Sequence, residues 1–319
     1  MMMGFFQNIK KNSYNKLRFI GCFKVIILII TCYMINYYSS FQNENISTNT
    51  HYVFTFWEPQ DSKPPYISLC MKTWRINLPA YYQIVILDYS NLQNYLSSKL
   101  LRQILCKDMM LATQVDAIRI ALLNKYGGFW IDADTIIINS NIMNTLYDSE
   151  LAIFSYSKLK LLYTGFIYAS RNSTILKSWL KCIISRVKLY KFSLLLKSTF
   201  PNKYFEKFYN KLRVWSYLSN GILVGLIKNA SEKEFKPIEI EDAYALPEDV
   251  LLKGFRQKNY INFYFSANYN MSWLQKCKGV LLLHNSWTPE QFKKMDEVQF
   301  LRQDIMLAHL LSKILNLTN

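Results

Sequence analysis

Two aspartates stand inside an otherwise largely apolar run, FWIDADTIII, at residues 129–138. Its β-branched and aromatic residues predict a buried strand, in which side chains two residues apart point to the same face. Asp132 and Asp134 would then lie side by side, and buried like charges repel each other. A divalent cation would relieve the repulsion, because carboxylate oxygens suit Mg²⁺ and Mn²⁺. The run therefore predicts a strand that ends in an acidic, cation-binding site.

A predicted helix leads directly into this strand. Residues 113–126 (TQVDAIRIALLNKY) carry apolar residues at helical spacing, with Thr113 as candidate N-cap and Gly127 as the residue that ends the helix. Asp116 and Arg119 are three residues apart and share one face of the helix. A structural ion pair would explain them in isolation. Because the helix turns through a Gly-Gly step into the acidic strand, we expect the pair to point towards the same site.

A third polar cluster follows residues 279–283 (GVLLL), which predict a strand near the C-terminus. His284, Ser286 and Trp287 come directly after it, where strands of α/β sheets commonly lead into binding sites. A lone histidine is more often structural. At this position, however, a neutral imidazole could complete the metal shell begun by Asp134, and Ser286 and Trp287 could contact a diphosphate.

The N-terminal region predicts a membrane anchor at residues 17–38 (LRFIGCFKVIILIITCYMINYY), long enough to span a bilayer at about 1.5 Å per residue. The preceding tail, residues 1–16, contains lysines and no acid, so the positive-inside rule predicts a cytosolic N-terminus. A helix that lies along the membrane surface is the alternative. We expect a Golgi-type, single-pass arrangement if the source is eukaryotic, and an inner-membrane location if it is bacterial.

The remaining chain predicts a short polar stem, residues 39–50, followed by one α/β domain, residues 51–319. Strand and helix patterns alternate along this domain, which favours a sheet covered by helices. The predicted strands are 51–57, 82–87, 129–138, two within 151–170, and 279–283. The predicted helices are 66–76, 113–126, 173–190 with Ser173 as its cap, and 297–315. Residues 191–275 give no clear pattern.

Charge distribution and cysteine spacing argue against a nucleic-acid-binding protein and against a zinc module. The chain has 38 Lys and Arg against 22 Asp and Glu, and most of the basic residues are scattered rather than grouped. This distribution argues against a nucleic-acid partner and favours anionic lipid or phosphorylated substrates. The six cysteines form no CxxC pair, so no zinc module is predicted, and the redox compartment stays open.

Together these motifs resemble glycosyltransferase family 32. The family includes capsular polysaccharide synthesis proteins, α-1,4-galactosyl- and N-acetylglucosaminyltransferases, and initiating mannosyltransferases. Three segments carry the resemblance: Asp116–Asp134 with its DAIR, YGG and DAD motifs, Thr55–Pro59 (TFWEP) with Trp74 and Pro79, and His284–Trp287 (HNSW). The resemblance spans roughly residues 51–290, most of the predicted domain.

The resemblance implies a GT-A type nucleotide-diphospho-sugar transferase fold. It also implies a nucleotide-sugar donor, a glycan or glycolipid acceptor, bound Mn²⁺ or Mg²⁺, and retention of configuration at the anomeric carbon. Its implied metal ligands are Asp132, Asp134 and His284, and Asp132 would also reach the ribose. Its implied donor contacts are Trp57 on the base, Asp88 and Asn91 near the nucleoside, Asp116 and Arg119 on sugar hydroxyls, and Ser286 and Trp287 on the β-phosphate.

Two segments depart from the family pattern. Tyr163–Phe166 (YTGF) and Ser219–Ile222 (SNGI) stand where the family often has an asparagine and a Gly-Pro segment. We expect both on the acceptor side, so the acceptor and the linkage stay open.

Two other functions fit part of the pattern. Ile131–Thr135 (IDADT) satisfies the first motif of haloacid-dehalogenase-like phosphatases, in which Asp132 would be the nucleophile. That interpretation needs a second acidic pair, for which Glu241-Asp242 is the nearest candidate, and leaves Asp116 and Arg119 unexplained. A non-catalytic, membrane-anchored binding protein with structural acids is the other alternative. Metal-dependent hydrolysis of a nucleotide sugar distinguishes the three.

Overall fold

The computed structural model describes residues 51–156, 161–171, 173–199, 216–239, 257–267 and 279–317, with residues 206, 209, 210, 212 and 271. The predicted tail, anchor and stem (1–50) lie outside the described residues, as does the Glu241-Asp242 pair. Within the described ranges, no helix has both the length and the apolar character needed to cross a bilayer.

Eight strands of the described residues form two sheets. In chain order they are β1 (His51–Phe56), β2 (Tyr82–Leu87), β3 (Gly128–Ile131), β4 (Thr135–Ile137), β5 (Leu151–Tyr156), β6 (Leu161–Ala169), β7 (Lys236–Glu239) and β8 (Val280–Leu282). The larger sheet has the order β2-β1-β3-β6-β5-β7, and β4 pairs with β8 in a two-stranded sheet. β1 is parallel to β2 and β3, whereas β6 is antiparallel to both β3 and β5. The predicted α/β class is confirmed.

Helices cover both faces of the larger sheet. In chain order they are α1 (Pro65–Asn77), α2 (Ser98–Ile104), α3 (Leu111–Tyr126), α4 (Asn141–Asn144), α5 (Thr174–Thr199), α6 (Asn220–Ile227), α7 (Gln257–Tyr264), α8 (Glu290–Lys293), α9 (Glu297–Leu301) and α10 (Met306–Ile314). Phe129 and Ile131 of β3 join the core shared with α1, α7, α10 and the small sheet. Trp130 points to the opposite core, shared with α3, α5 and α6. The alternation of β3 thus places the sheet between two apolar layers.

The Gly-Gly step fixes how α3 enters the sheet. Gly127 and Gly128 have φ of 70° and 93°, which L side chains rarely adopt. A Cβ at Gly127 would lie 2.8 Å from the backbone nitrogen of Arg171, and one at Gly128 would collide with the carbonyl oxygen of Tyr52. Only glycine therefore allows β3 to start one residue after the helix cap and to fit between β1 and β6. The prediction that Gly127 ends the helix is confirmed.

Four predicted elements differ from the structure. The helix predicted at 173–190 continues to Thr199 as α5. The run 129–138 is not one strand, because residues 132–134 form a turn between β3 and β4. Helix α3 begins at Leu111, after an extended Met110 that gives no side-chain cap, so Thr113 is not its N-cap. The predicted helix 297–315 is two helices. The Met306 amide donates to the Ser266 carbonyl at 3.1 Å, which holds the break between α9 and α10.

Candidate functional site

The acid pair (Asp132 and Asp134) lies in the turn that joins the two sheets. The Asp132 amide donates to the Gly165 carbonyl of β6 at 2.7 Å, which ends the β3 ladder. The Thr135 amide then donates to the Asp132 carbonyl at 3.0 Å, closing a four-residue turn. The prediction that both carboxylates project from one continuous strand is wrong, because β3 and β4 pair with different partners. The acid pair therefore stands at the junction of two hydrogen-bond ladders.

Pairing between β4 and β8 brings the C-terminal turn (residues 284–288) to Asp134. Thr135 is opposite Leu282 in this antiparallel pair. The chain leaving β8 therefore passes Asp134, and the Asn285 amide donates to Asp134 Oδ2 at 2.7 Å. The structure thus joins the two predicted motifs that hold Asp134 and His284.

Burial shifts the pKa values of Asp134 and His284 in opposite directions. Burial, and secondly the negative charge of Asp132, raise the pKa of Asp134 to about 7. Burial lowers the pKa of His284 to about 4, so its imidazole is neutral at pH 7. Within the described part of the chain, no group of three or more His, Cys, Asp or Glu side chains is arranged as a metal cluster. The two repelling carboxylates offer the oxygen ligands that Mn²⁺ and Mg²⁺ prefer, and the neutral imidazole offers one nitrogen.

Arg119 connects the helix pair to the acid pair. Its Nη2 lies 3.3 Å from Asp116 Oδ1 and 3.6 Å from Asp132 Oδ1, and its Nη1 donates to the Thr164 carbonyl. The guanidinium also lies over the Trp130 ring, 5.0 Å from its centroid. Arg119 and Asp116 are both buried. The guanidinium of Arg119 therefore links Asp116 to Asp132. The structure thus places both predicted residues of the helix beside the acid pair.

Trp130 binds the Asp132 carboxylate in addition to Arg119. The indole Nε1 of Trp130 donates to Asp132 Oδ1 at 2.8 Å. The same carboxylate oxygen thus receives a neutral donor and a cation, and such charge-assisted contacts orient a carboxylate firmly. In contrast, burial raises the pKa of Asp116 to about 6, although Arg119 and the Ser219 hydroxyl favour its ionised form.

The Tyr163–Phe166 segment lies against the acid pair. The Cβ position of Gly165 is 2.6 Å from Asp132 Oδ2 and 2.5 Å from Cζ of Tyr163, so a side chain there would meet both. Ser219, from the second departing segment, bonds Asp116. Both segments therefore border the acid pair and its Arg119 link.

Aromatic rings surround His284. Its ring centroid lies 4.5 Å from that of Trp287, 5.7 Å from Tyr163 and 5.8 Å from Tyr260. The rings of Tyr163 and Tyr260 meet the imidazole edge to face, at 77° and 81°. Trp287 therefore packs on His284, while the neighbouring Ser286 is exposed.

The remaining predicted donor contacts lie at the ends of β1 and β2. Trp57 follows β1, and its buried indole Nε1 has no hydrogen-bond partner within the described residues. Asp88 follows β2, and its Oδ1 accepts hydrogen bonds from the Ser90 amide at 2.7 Å and the Asn91 amide at 3.0 Å. The Ser90 hydroxyl also donates to Asp88 and is the main cause that lowers its pKa. Asp88 and Asn91 thus stabilise a local turn.

Comparison with known proteins assigns a family. Residues 23–277 match the family described as capsular polysaccharide synthesis protein. The chain belongs to this family. The predicted resemblance to a group that includes these proteins is confirmed.

Two individual proteins resemble this capsular polysaccharide synthesis family member. A curated relative, Glycosyltransferase afumC of Aspergillus fumigatus, is 26% identical over 153 residues, which cover 41% of this chain and 39% of the relative. The chain thus spans about two fifths of that relative's length. A solved structure, PaToxG Glycosyltransferase, is 15% identical with a TM-score of 0.31, covering 58% of this chain and 83% of that one.

Sequence reasoning missed several site residues of this family member. Trp130 precedes Asp132 by two positions, so strand periodicity was the signal that could have found their contact. Gly165 was noted only as part of a departure from the family pattern. Tyr66 of α1 and Tyr260 of α7 both bond the C-terminal turn. No local motif marks these two tyrosines, because their partners are distant in the chain.

Proposed function

We propose that this chain is a glycosyltransferase of GT-A type that moves a sugar from a nucleotide-sugar donor to a glycan or glycolipid acceptor. Transfer would require Mn²⁺ or Mg²⁺ and would retain the anomeric configuration. The hydrogen bond between the Asn285 amide and Asp134 Oδ2 carries the proposal, because it joins two polar motifs 151 residues apart in one site.

Each part of the site has a proposed task. Asp132, Asp134 and His284 would hold the ion, which when bound neutralises charge on a departing diphosphate. Arg119 keeps Asp132 oriented and, with Asp116, would face the hydroxyls of the donor sugar. Trp57 would stack on the base, Asp88 would lie near the nucleoside, and Ser286 and Trp287 would contact the β-phosphate.

The comparisons support the class of reaction. The family description names capsular polysaccharide synthesis, and the curated relative is named a glycosyltransferase. Because residues 17–38 are apolar and follow a basic tail, we further propose that they anchor the enzyme in a membrane with a cytosolic N-terminus.

The alternatives receive less support. The phosphatase interpretation leaves unexplained why Arg119 links Asp116 to Asp132, with its Nη2 at 3.3 Å and 3.6 Å from their Oδ1 atoms. A binding protein with purely structural acids leaves unexplained why polar motifs from distant parts of the chain meet at the acid pair.

The test is release of a nucleoside diphosphate from a panel of nucleotide sugars, with Mn²⁺ and with a chelator. We expect one or more donors to be hydrolysed with Mn²⁺ only, and Asp134→Asn to lose this activity while remaining folded. Release of phosphate from a phosphomonoester would favour the phosphatase instead. If neither substrate is cleaved, with or without an acceptor, the chain is not the enzyme proposed.

A further inference from the structure

Two buried phenols meet at the C-terminal turn. The Tyr66 hydroxyl, on α1, donates to Asn285 Oδ1 at 2.5 Å and lies 3.2 Å from Thr288 Oγ1. The Tyr260 hydroxyl, on α7, accepts a hydrogen bond from the His284 amide at 3.1 Å and lies 3.5 Å from the same Thr288 oxygen. The turn is therefore bonded at residues 284, 285 and 288 by two helices. We call Tyr66 and Tyr260 the tyrosine clamp.

The members of the clamp have fixed positions. Tyr66 is 0% exposed and Tyr260 2%. The Tyr66 ring stacks on Phe300 at 5.7 Å, and the Tyr260 ring packs against Phe265 at 6.0 Å, both outside the turn. Because the rings are held by packing, their hydroxyls present the turn with hydrogen-bonding groups whose positions do not depend on the turn itself.

The clamp and Asp134 bond the same residue of the turn, Asn285. Asn285 accepts from Tyr66 through its side chain, while its backbone amide donates to Asp134 Oδ2 at 2.7 Å. A shift of Asn285 relative to Tyr66 would therefore change the geometry of its bond to Asp134. The same shift would move His284, whose amide is bonded to Tyr260.

We propose that Tyr66 and Tyr260 are positioning residues. They hold the C-terminal turn in the position where the Asn285 amide donates its hydrogen bond to Asp134. They thereby set the separation of Asp134 and His284 without contacting substrate. The effect on metal and donor rests on the proposed function, whereas the effect on the turn does not.

The first experiment needs no metal or substrate. Amide hydrogen exchange of residues 283–288 is compared between wild type, Tyr66→Phe and Tyr260→Phe. Each variant keeps its ring and loses one hydroxyl. A hydrogen bond is worth roughly 1 kcal/mol net, so we expect exchange in this segment to be about 2- to 10-fold faster. Tyr82→Phe is the matched control, because Tyr82 is also buried and its hydroxyl pairs with Tyr147 at 2.7 Å outside the turn.

The second experiment measures Mn²⁺ affinity by electron paramagnetic resonance, together with the metal dependence of donor hydrolysis. Changing residues that orient metal ligands commonly costs 10- to 100-fold in affinity, so we expect about 10-fold weaker Mn²⁺ binding in both clamp variants. Rates at saturating Mn²⁺ should stay within about 3-fold of wild type, since the ligands themselves remain. Tyr82→Phe should bind Mn²⁺ as wild type does.

The outcomes separate the two proposals. If wild type neither binds Mn²⁺ nor hydrolyses a donor, the proposed function fails, and hydrogen exchange alone decides the clamp. If wild type does both and the two clamp variants match Tyr82→Phe in exchange and in Mn²⁺ affinity, the clamp proposal is overturned. Should Tyr66→Phe fail to fold, Tyr260→Phe gives the same decision.

Discussion

The Asn285 amide donates a 2.7 Å hydrogen bond to Oδ2 of Asp134. The other member of the acid pair, Asp132, is held instead by Trp130 and by Arg119 from α3. Two neighbouring carboxylates are thus positioned by different parts of the fold, one by the larger sheet and its helix, the other by the C-terminal turn. Substitutions in the larger sheet or α3 should therefore displace Asp132, whereas substitutions in the C-terminal turn should displace Asp134.

Asp134→Asn tests the charge at the junction. The amide can still accept the hydrogen bond from Asn285 but cannot bind a cation as strongly. A ligand at 100 times its dissociation constant stabilises a protein by about 2.7 kcal/mol, so we expect Mn²⁺ to raise the unfolding temperature of wild type by about 5–10 °C and that of the variant hardly at all. Differential scanning fluorimetry with and without Mn²⁺ measures this.

The control for this substitution is Asp148→Asn, a change at an exposed aspartate. It should keep the full Mn²⁺-dependent shift. Without metal, Asp134→Asn should unfold at the same or a higher temperature than wild type at pH 7, because burial and Asp132 disfavour the ionised carboxylate that it removes. An equal Mn²⁺ response in both variants would exclude Asp134 as a ligand.

His284→Ala should weaken metal binding without changing the choice of donor. Burial lowers the pKa of His284 to about 4, so the imidazole is already in the neutral form that binds metals. Loss of one ligand should raise the Mn²⁺ concentration for half-maximal donor hydrolysis by at least about 10-fold. An unchanged Mn²⁺ titration curve would show that His284 is only part of the aromatic cluster, and His309→Ala provides the control.

Gly165→Ala should reduce activity strongly while the protein stays folded. The added Cβ would lie 2.6 Å from Asp132 Oδ2 and 2.5 Å from Cζ of Tyr163, so the carboxylate or the ring must move. We expect donor hydrolysis to fall by about 100-fold, in line with the cost of a misplacement of about 1 Å in an active site.

Gly225 gives a matched control for that change. A Cβ at Gly225, in α6, meets no atom of the described residues within 4 Å. Gly225→Ala should therefore leave activity unchanged and raise the free energy of unfolding by up to about 1 kcal/mol through helix propensity. If the two glycine variants hydrolyse donor at the same rate, close approach at Gly165 has no role in the site.

Arg119→Lys should destabilise the fold as well as the site. A lysine cannot contact Asp116, Asp132 and the Thr164 carbonyl with one planar group, and Asp116 would remain buried with weaker compensation. Breaking a buried ion pair typically costs about 3–5 kcal/mol, and we expect roughly half of that for a substitution that keeps the charge. Urea unfolding measures the loss, and the exposed Arg75→Lys should show none.

Trp57→Ala should raise the donor KM and leave kcat nearly constant. Stacking of a base on an aromatic ring is worth about 1–3 kcal/mol, which corresponds to a rise of about 5- to 150-fold. Trp57→Phe retains a ring and should recover most of the affinity. A KM unchanged in the alanine variant would remove Trp57 from the donor site.

Strong local patterns predicted most of the elements. The strand 82–87 and the end of α3 at Gly127 have the predicted bounds. Ser173 precedes α5, as predicted, and accepts from the Leu176 amide at 3.2 Å. Each of these depends on the periodicity of a short segment or on one capping residue, which sequence displays directly.

Other features depend on partners far away in the chain. The turn at 132–134 interrupts an apolar run because β3 pairs with β1 and β6 whereas β4 pairs with β8, and no property of the run itself predicts that change of partner. Tyr66 meets Asn285 across 219 residues, so its role could not be found from spacing. For Arg119, the sequence predicts only that its side chain points towards the acidic site, because the helix leads into the strand. It does not predict the contact with Asp132.

The division of the acid pair between two ladders also bears on how the site is completed during synthesis. Asp132 can reach its position once the segments that form β1, β3 and β6 have left the ribosome. Asp134 obtains its partner only when β8 and the residues after it have emerged and paired with β4. In a nascent chain, Asp132 can therefore be in place before Asp134, whose partner Asn285 follows it by 151 residues.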